Sequence, residues 1–131
     1  MRRLFLLLLP ITLSACTPDS PQSVNAISLT PDTIAQLNTE LPQMVDEGLR
    51  LDSYEADGNV LIMNITTVGM LVDEIDVDSW MSESKSRVED AACADPNYRQ
   101  ILESGVTYEY RYRDEDGIPV VTVQLSQSDC R

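Results

Sequence analysis

Apolar positions change period several times along the chain. Leu4, Phe5, Leu6, Leu7, Leu8, Leu9, Ile11 and Leu13 form one short apolar run, broken by Pro10. Residues 17–29, with Pro18, Pro21 and three serines, show no period and read as a linker. Helical spacing begins at Thr30-Pro31-Asp32, where Thr suits a helix N-cap, Pro the first helical position and an acid the first turn. Ile34, Leu37 and Leu41 then recur at i, i+3 and i+7 as one apolar stripe. Pro42 ends or kinks this helix, and Met44 and Val45 extend its buried surface.

The period then shortens to two. Leu49–Ala56 alternates Leu49, Leu51 and Ser53 against Arg50, Asp52 and Tyr54. Val60–Val68 is apolar on both faces in its first half, as expected of a central strand. Asp57-Gly58-Asn59 between them signals a tight hairpin. Residues 69–78 read as an acidic loop. A second helix spans about 78–92, capped by Asp78 or Ser79, with Met81, Val88 and Ala91 or Ala92 inward and Trp80 at the edge. Asp95-Pro96 opens a short helix carrying Tyr98, Ile101 and Leu102, and Gly105 stops it. Val106, Tyr108, Tyr110 and Tyr112 alternate strictly with Thr107, Glu109, Arg111 and Arg113. Asp114-Glu115-Asp116-Gly117 makes a turn, and Val120–Leu125 returns with Val121, Val123 and Leu125 on one face. The predicted fold is α+β: a four-stranded antiparallel sheet of two hairpins, with the helices packed on one face.

The N-terminal run has a different meaning. It is too short for a bilayer, which takes about 20 apolar residues, and with Arg2 and Arg3 before it has the form of a secretory signal segment. It ends in Leu13-Ser14-Ala15-Cys16, which resembles the lipobox of bacterial lipoproteins. The resemblance covers the first 16 residues. It implies recognition of Leu13, Ser14 and Ala15 by signal peptidase II, cleavage between Ala15 and Cys16, and lipidation of Cys16. Thr17, in place of Asp, leans towards the outer membrane under enteric-type sorting. Two or three acyl chains on one cysteine make a lasting anchor, where a single chain holds only marginally. The expected organisation is therefore a signal peptide at 1–15, a lipidated cysteine and flexible tether at 16–29, and one small α+β periplasmic domain at 30–131. Thirteen flexible residues after Cys16 reach roughly 20 Å.

With Cys16 lipidated, Cys93 and Cys130 remain, an even pair in an oxidising compartment. A disulfide is the simplest expectation, and no Cys-x-x-Cys spacing suggests redox chemistry.

Charge and composition narrow the function. The chain carries 9 basic and 22 acidic side chains, and no histidine, in 131 residues. Beyond residue 15 the net charge is −15, which argues against a nucleic-acid partner, because phosphates must be met by Lys and Arg. Without histidine there is no His-based acid–base catalysis or metal ligation, and no Gly-x-Ser-x-Gly is present. Asp73, Glu74, Asp76 and Asp78 offer hard ligands, but without EF-hand spacing they read as solvated acidic turns, so no metal site and no cofactor are expected. The tyrosine stripe suits either a core under a helical layer or an interface anchor, with core the preferred role. Arg111 and Arg113 then lie on the open sheet face, a candidate partner surface. The resulting reading is a non-catalytic envelope lipoprotein, attached to the membrane through Cys16 and binding a protein partner. The alternative is an acidic inhibitor or immunity lipoprotein that neutralises a basic wall-degrading enzyme or toxin, drawn to it by charge.

Overall fold

The structure, a computed structural model, describes residues 28–130. Leu13, Ser14, Ala15, Cys16 and most of the expected tether lie outside the described residues.

The first helix, α1, spans Pro31–Leu37. Thr30 Oγ1 accepts from the Thr33 backbone N–H at 3.2 Å, as an N-cap should. The helix stops short of Leu41 because Asn38 is committed elsewhere. Its side-chain amide donates to the carbonyls of Ile34 and Tyr54, at 3.0 and 2.9 Å, and its Oδ1 accepts from the Tyr54 N–H at 2.8 Å. One side chain thus fastens the end of α1 to a strand.

Five strands follow the scheme β1 Gln43–Asp46, β2 Leu49–Asp57, β3 Val60–Thr67, β4 Thr107–Arg113 and β5 Pro119–Leu125. Between β3 and β4 run α2, Val77–Ala94, and α3, Pro96–Glu103. The sheet order is β1-β2-β3-β4-β5. This is an α+β fold, but the expectation of four antiparallel strands is corrected in two ways. First, Met44 and Val45 belong to a short edge strand rather than to the buried surface of α1, and both are exposed. Four residues, all of them exposed, are too short a run to show the alternation of a half-buried strand. Second, β3 and β4 pair in parallel, Val60 opposite Thr107 through Thr66 opposite Arg113. The 18 residues of α2 cover roughly 27 Å. That is enough to carry the chain back along the sheet, so β4 starts at the same end as β3.

The β2–β3 and β4–β5 pairs are the antiparallel hairpins that the turn residues predict. Gly58 adopts φ +59°, the left-handed conformation that the tight turn requires. A bulge between Leu51 and Ser53 shifts the alternation of β2. Tyr54, instead of Ser53, therefore joins Leu49 and Leu51 on the helix side. The cap of α2 is Asp76, accepting from Ser79 N–H at 3.2 Å, two residues before the earliest cap the sequence suggests. Asp95 caps α3 through the Asn97 N–H at 2.8 Å.

The apolar core lies between the helices and one face of the sheet. Leu102 and Leu125 are completely buried, and Tyr108, Val123 and Ala92 nearly so. Cys93, near the end of α2, is joined by a disulfide to Cys130, which follows β5, with Cα atoms 5.3 Å apart. Asp114, in the β4–β5 turn, is buried with its carboxylate accepting from the N–H groups of Val72, Asp116 and Ile118 at 3.0, 3.0 and 2.8 Å. It binds the turn to the segment after β3. Burial alone raises its pKa, but the surrounding backbone N–H groups outweigh that and hold it below the ordinary value.

Candidate functional site

The helices contact the sheet unevenly, with Trp80 of α2 and Tyr98 of α3 reaching over β4. α1 packs on β2, and α2 packs on β5. Those two strands are three strand spacings apart, roughly 14 Å, whereas packed helices sit about 8–10 Å apart. Between them lies a groove of about 730 Å³ over the helix-facing side of β3 and β4, whose side chains there are themselves largely buried. Its volume falls in the range typical of ligand sites, roughly 300–1,000 Å³.

The groove is built from each element in turn. Leu37 of α1 and Val45 of β1 form one wall, and Trp80, Val88 and Ala91 of α2 form the other. Tyr98 and Ile101 of α3 close one end. The floor is Leu61 and Met63 of β3 with the three alternating tyrosines of β4. Most of the lining surface is apolar. The rim keeps apolar groups in solvent: Val45 is 52 % exposed and Tyr98 50 %. Charged groups at the lining are Asp46 and Glu47 in the β1–β2 turn and Glu83 and Arg87 on α2.

The phenols dominate the chemistry. Tyr108 is T-stacked against Tyr98 and Tyr110, with ring centroids 6.1 and 6.3 Å apart, and Trp80 packs edge-on against Tyr112 at 4.7 Å. Desolvation raises the pKa of Tyr54, Tyr108, Tyr110 and Tyr112 above the ordinary phenol value, so all four are neutral hydrogen-bond donors at physiological pH. For Tyr108 and Tyr110 the neighbouring phenols add to the shift, whereas at Tyr112 the Arg87 charge offsets part of it. Both roles weighed for the tyrosine stripe occur together: Tyr108 and Tyr112 are core residues, and their inward side also forms the groove floor.

Arg111 and Arg113 occupy the opposite sheet face. Arg111 Nε donates to Glu109 at 2.5 Å, and its guanidinium reaches Glu55 at 4.0 Å. Gln124 also donates to Glu109, at 2.8 Å. The Gln124 hydrogen bond, together with Arg111 and against the effect of burial, holds Glu109 below its ordinary pKa. Asn64 links Ser53 and Glu55 on the same face, and Arg50 pairs with Asp52 at 2.6 Å. This face is a self-satisfied polar network, with Ile62 buried in it beside Glu109. Arg113 is exposed and makes no ion pair among the described residues.

Two acids of the stretch at 73–78 serve local structure. Glu74 accepts from the Leu71 N–H at 3.0 Å, and Asp76 caps α2. Among the described residues no three His, Cys, Asp or Glu side chains converge into a metal-binding group. No helix among them is long and apolar enough to cross a membrane.

Sequence reasoning missed the groove itself. Leu37, Val45, Tyr54 and Tyr98 come from four separate elements, and only the packing of α1 and α2 on opposite margins brings them together. The available signal was the surplus of large apolar residues on short, exposed elements, Val45 and Tyr98 above all.

The fold has solved counterparts. A "putative secreted protein" from Pseudomonas aeruginosa superimposes with a TM-score of 0.65 at 21 % identity, over 76 % of this chain and 88 % of that one. EpsS, a pilotin of the Vibrio vulnificus type 2 secretion system, gives 0.60 at 17 % identity, over 76 % and 86 %. AspS, the type II secretion pilotin of Vibrio cholerae, gives 0.56 at 18 % identity, also over 76 % and 86 %. At these identities the likeness concerns the fold. No curated protein matches the chain by sequence. Residues 20–131 match the model of the QSregVF family, described as "Putative quorum-sensing-regulated virulence factor", and the chain belongs to that family.

Proposed function

We propose that this protein is a non-catalytic accessory lipoprotein of the bacterial envelope that docks an apolar segment of a protein partner in the groove between α1 and α2. The apolar groove carries this reading: an exposed, concave apolar surface of this size marks a binding site rather than packing left incomplete. Resemblance of the fold to two type II secretion pilotins supports an envelope accessory role. In this reading Cys16 carries the lipid anchor, residues 16–29 are the tether, and the domain from residue 30 works in the periplasm, at the outer membrane. The acidic charge keeps the domain clear of anionic lipid, leaving the groove free for a protein.

Affinity capture from solubilised envelope tests it, comparing the wild type with Ala91→Trp. Ala91 is exposed on the groove wall, so a tryptophan there obstructs the groove without entering the core. An envelope protein held by the wild type and lost by folded Ala91→Trp is the expected result; equal capture by both refutes groove docking. Salt-sensitive capture of a basic wall-degrading enzyme, with loss of its activity, would instead support the inhibitor reading, which the net charge favours and the apolar lining does not.

A further inference from the structure

The chain that precedes the described residues ends at the groove. Ser28 is the first described residue, and Leu29 after it lines the groove and packs against the buried core. The Thr30 N–H donates to the Ser28 carbonyl at 2.8 Å, a tight turn at Leu29 just ahead of α1.

The sequence before Ser28 suits that place. Val24, Ala26 and Ile27 are apolar, and an extended chain puts Ile27 on the same side as Leu29. Residues 20–31 contain no charged side chain, although the chain as a whole is strongly acidic. The charges at the groove are Asp46, Glu47 and Glu83 against Arg87 alone, so an acidic segment would be repelled there and a neutral one is not. The match to the family model begins at residue 20, ahead of α1, so the family's pattern takes in this segment together with the folded domain. Attachment to Leu29 adds proximity: a short linker gives an effective concentration on the order of 1 mM, so even sub-millimolar intrinsic affinity keeps such a segment bound most of the time.

We propose that residues 24–27 of the chain's own tether fill the groove in the free protein, anchored by Val24 and Ile27, and leave it when a partner docks. The proposal rests on the docking reading above and adds how the groove is guarded before docking. A partner meets a groove that is open in only a fraction of the molecules, and its apparent affinity falls by that fraction.

Photocrosslinking in the full chain, left in the membranes of the bacteria that make it, reads the position. With p-benzoylphenylalanine in place of Ile27, illumination is expected to give adducts within the chain on groove residues such as Leu37, Val88 and Ala91. Adducts to lipid or to other proteins with none in the groove, or no adducts at all, overturn the proposal. A synthetic peptide of residues 20–28 reads the competition, followed through Trp80, the chain's single tryptophan and part of the groove lining. The peptide is expected to bind full-chain Val24→Asp/Ile27→Asp roughly three- to tenfold more tightly than the wild type, as a groove filled roughly 70–90 % of the time requires. Val24→Leu/Ile27→Leu should behave as the wild type. Equal affinity for the wild type and the Asp variant, or no titration of the Asp variant, overturns the proposal. Binding that survives Ala91→Phe in the Asp variant also overturns it, because the peptide would then sit elsewhere. The docking reading fails separately: equal capture of envelope proteins by the wild type and Ala91→Trp refutes a partner in the groove, while groove adducts from position 27 still place the tether there.

Discussion

Breaking the Cys93–Cys130 bond tests how this small domain is held together. The two cysteines are 37 residues apart in sequence. The loop they close contains α3, β4 and β5, so the bond fastens the last turns of α2 to the chain beyond the final strand. Closing a loop of that length removes unfolded-state entropy worth about 4 kcal/mol at 25 °C. Domains of this size are stable by roughly 5–15 kcal/mol, so the loss is a large fraction of the total. At about 4–5 °C per kcal/mol for a domain near 100 residues, the melting temperature should fall by roughly 15–20 °C. Thermal unfolding followed by circular dichroism, on the oxidised protein, the same protein in dithiothreitol, and the Cys93→Ser/Cys130→Ser variant, measures this directly. The reduced protein and the double variant should melt together, both well below the oxidised form. A transition that moves by less than about 3 °C in either would show that α2 is held onto β5 by packing alone, and would refute the argument.

Three further outcomes are expected. Leu102→Ala empties a completely buried position between α3 and the sheet and should cost about 3 kcal/mol in denaturant unfolding; a loss under about 1 kcal/mol would mean the site collapses to fill the space. Asp114 and Glu109 both have folded-state pKa values below their ordinary ones, so their stabilisation is present above the usual carboxylate range and is lost as pH falls through the folded values. Melting temperature should thus decline below about pH 4; Asp114→Asn should melt lower at neutral pH yet lose less on acidification, and parallel curves would contradict the assignment. Cys16→Ser should release the protein from membranes in a fractionation experiment; unchanged membrane association would contradict the anchor.

Much of the local structure is legible in the sequence because it is enforced locally. Thr30-Pro31 and Asp95-Pro96 start helices through their own hydroxyl, carboxylate and fixed φ. Asp57-Gly58 makes its hairpin because glycine accepts the left-handed conformation at φ +59°. The tyrosines of β4 share one face because strand alternation puts residues 108, 110 and 112 on the same side, and Tyr108 and Tyr112 are buried there.

What depended on partners distant in the chain was not legible. Asn38 ends α1 by bonding Tyr54, sixteen residues away, and no helical period records that. The bulge after Leu51 reassigns the face of Tyr54, because its extra residue is unpaired only once β3 lies alongside. Parallel pairing of β3 and β4 follows from where the helical crossover sets the chain down, and both orientations satisfy the same side-chain alternation. The groove is the furthest from the sequence. Periodicity tells which face of each element is apolar. Whether the opposing faces meet or stand apart depends on the distance between α1 on β2 and α2 on β5, which only the assembled sheet fixes.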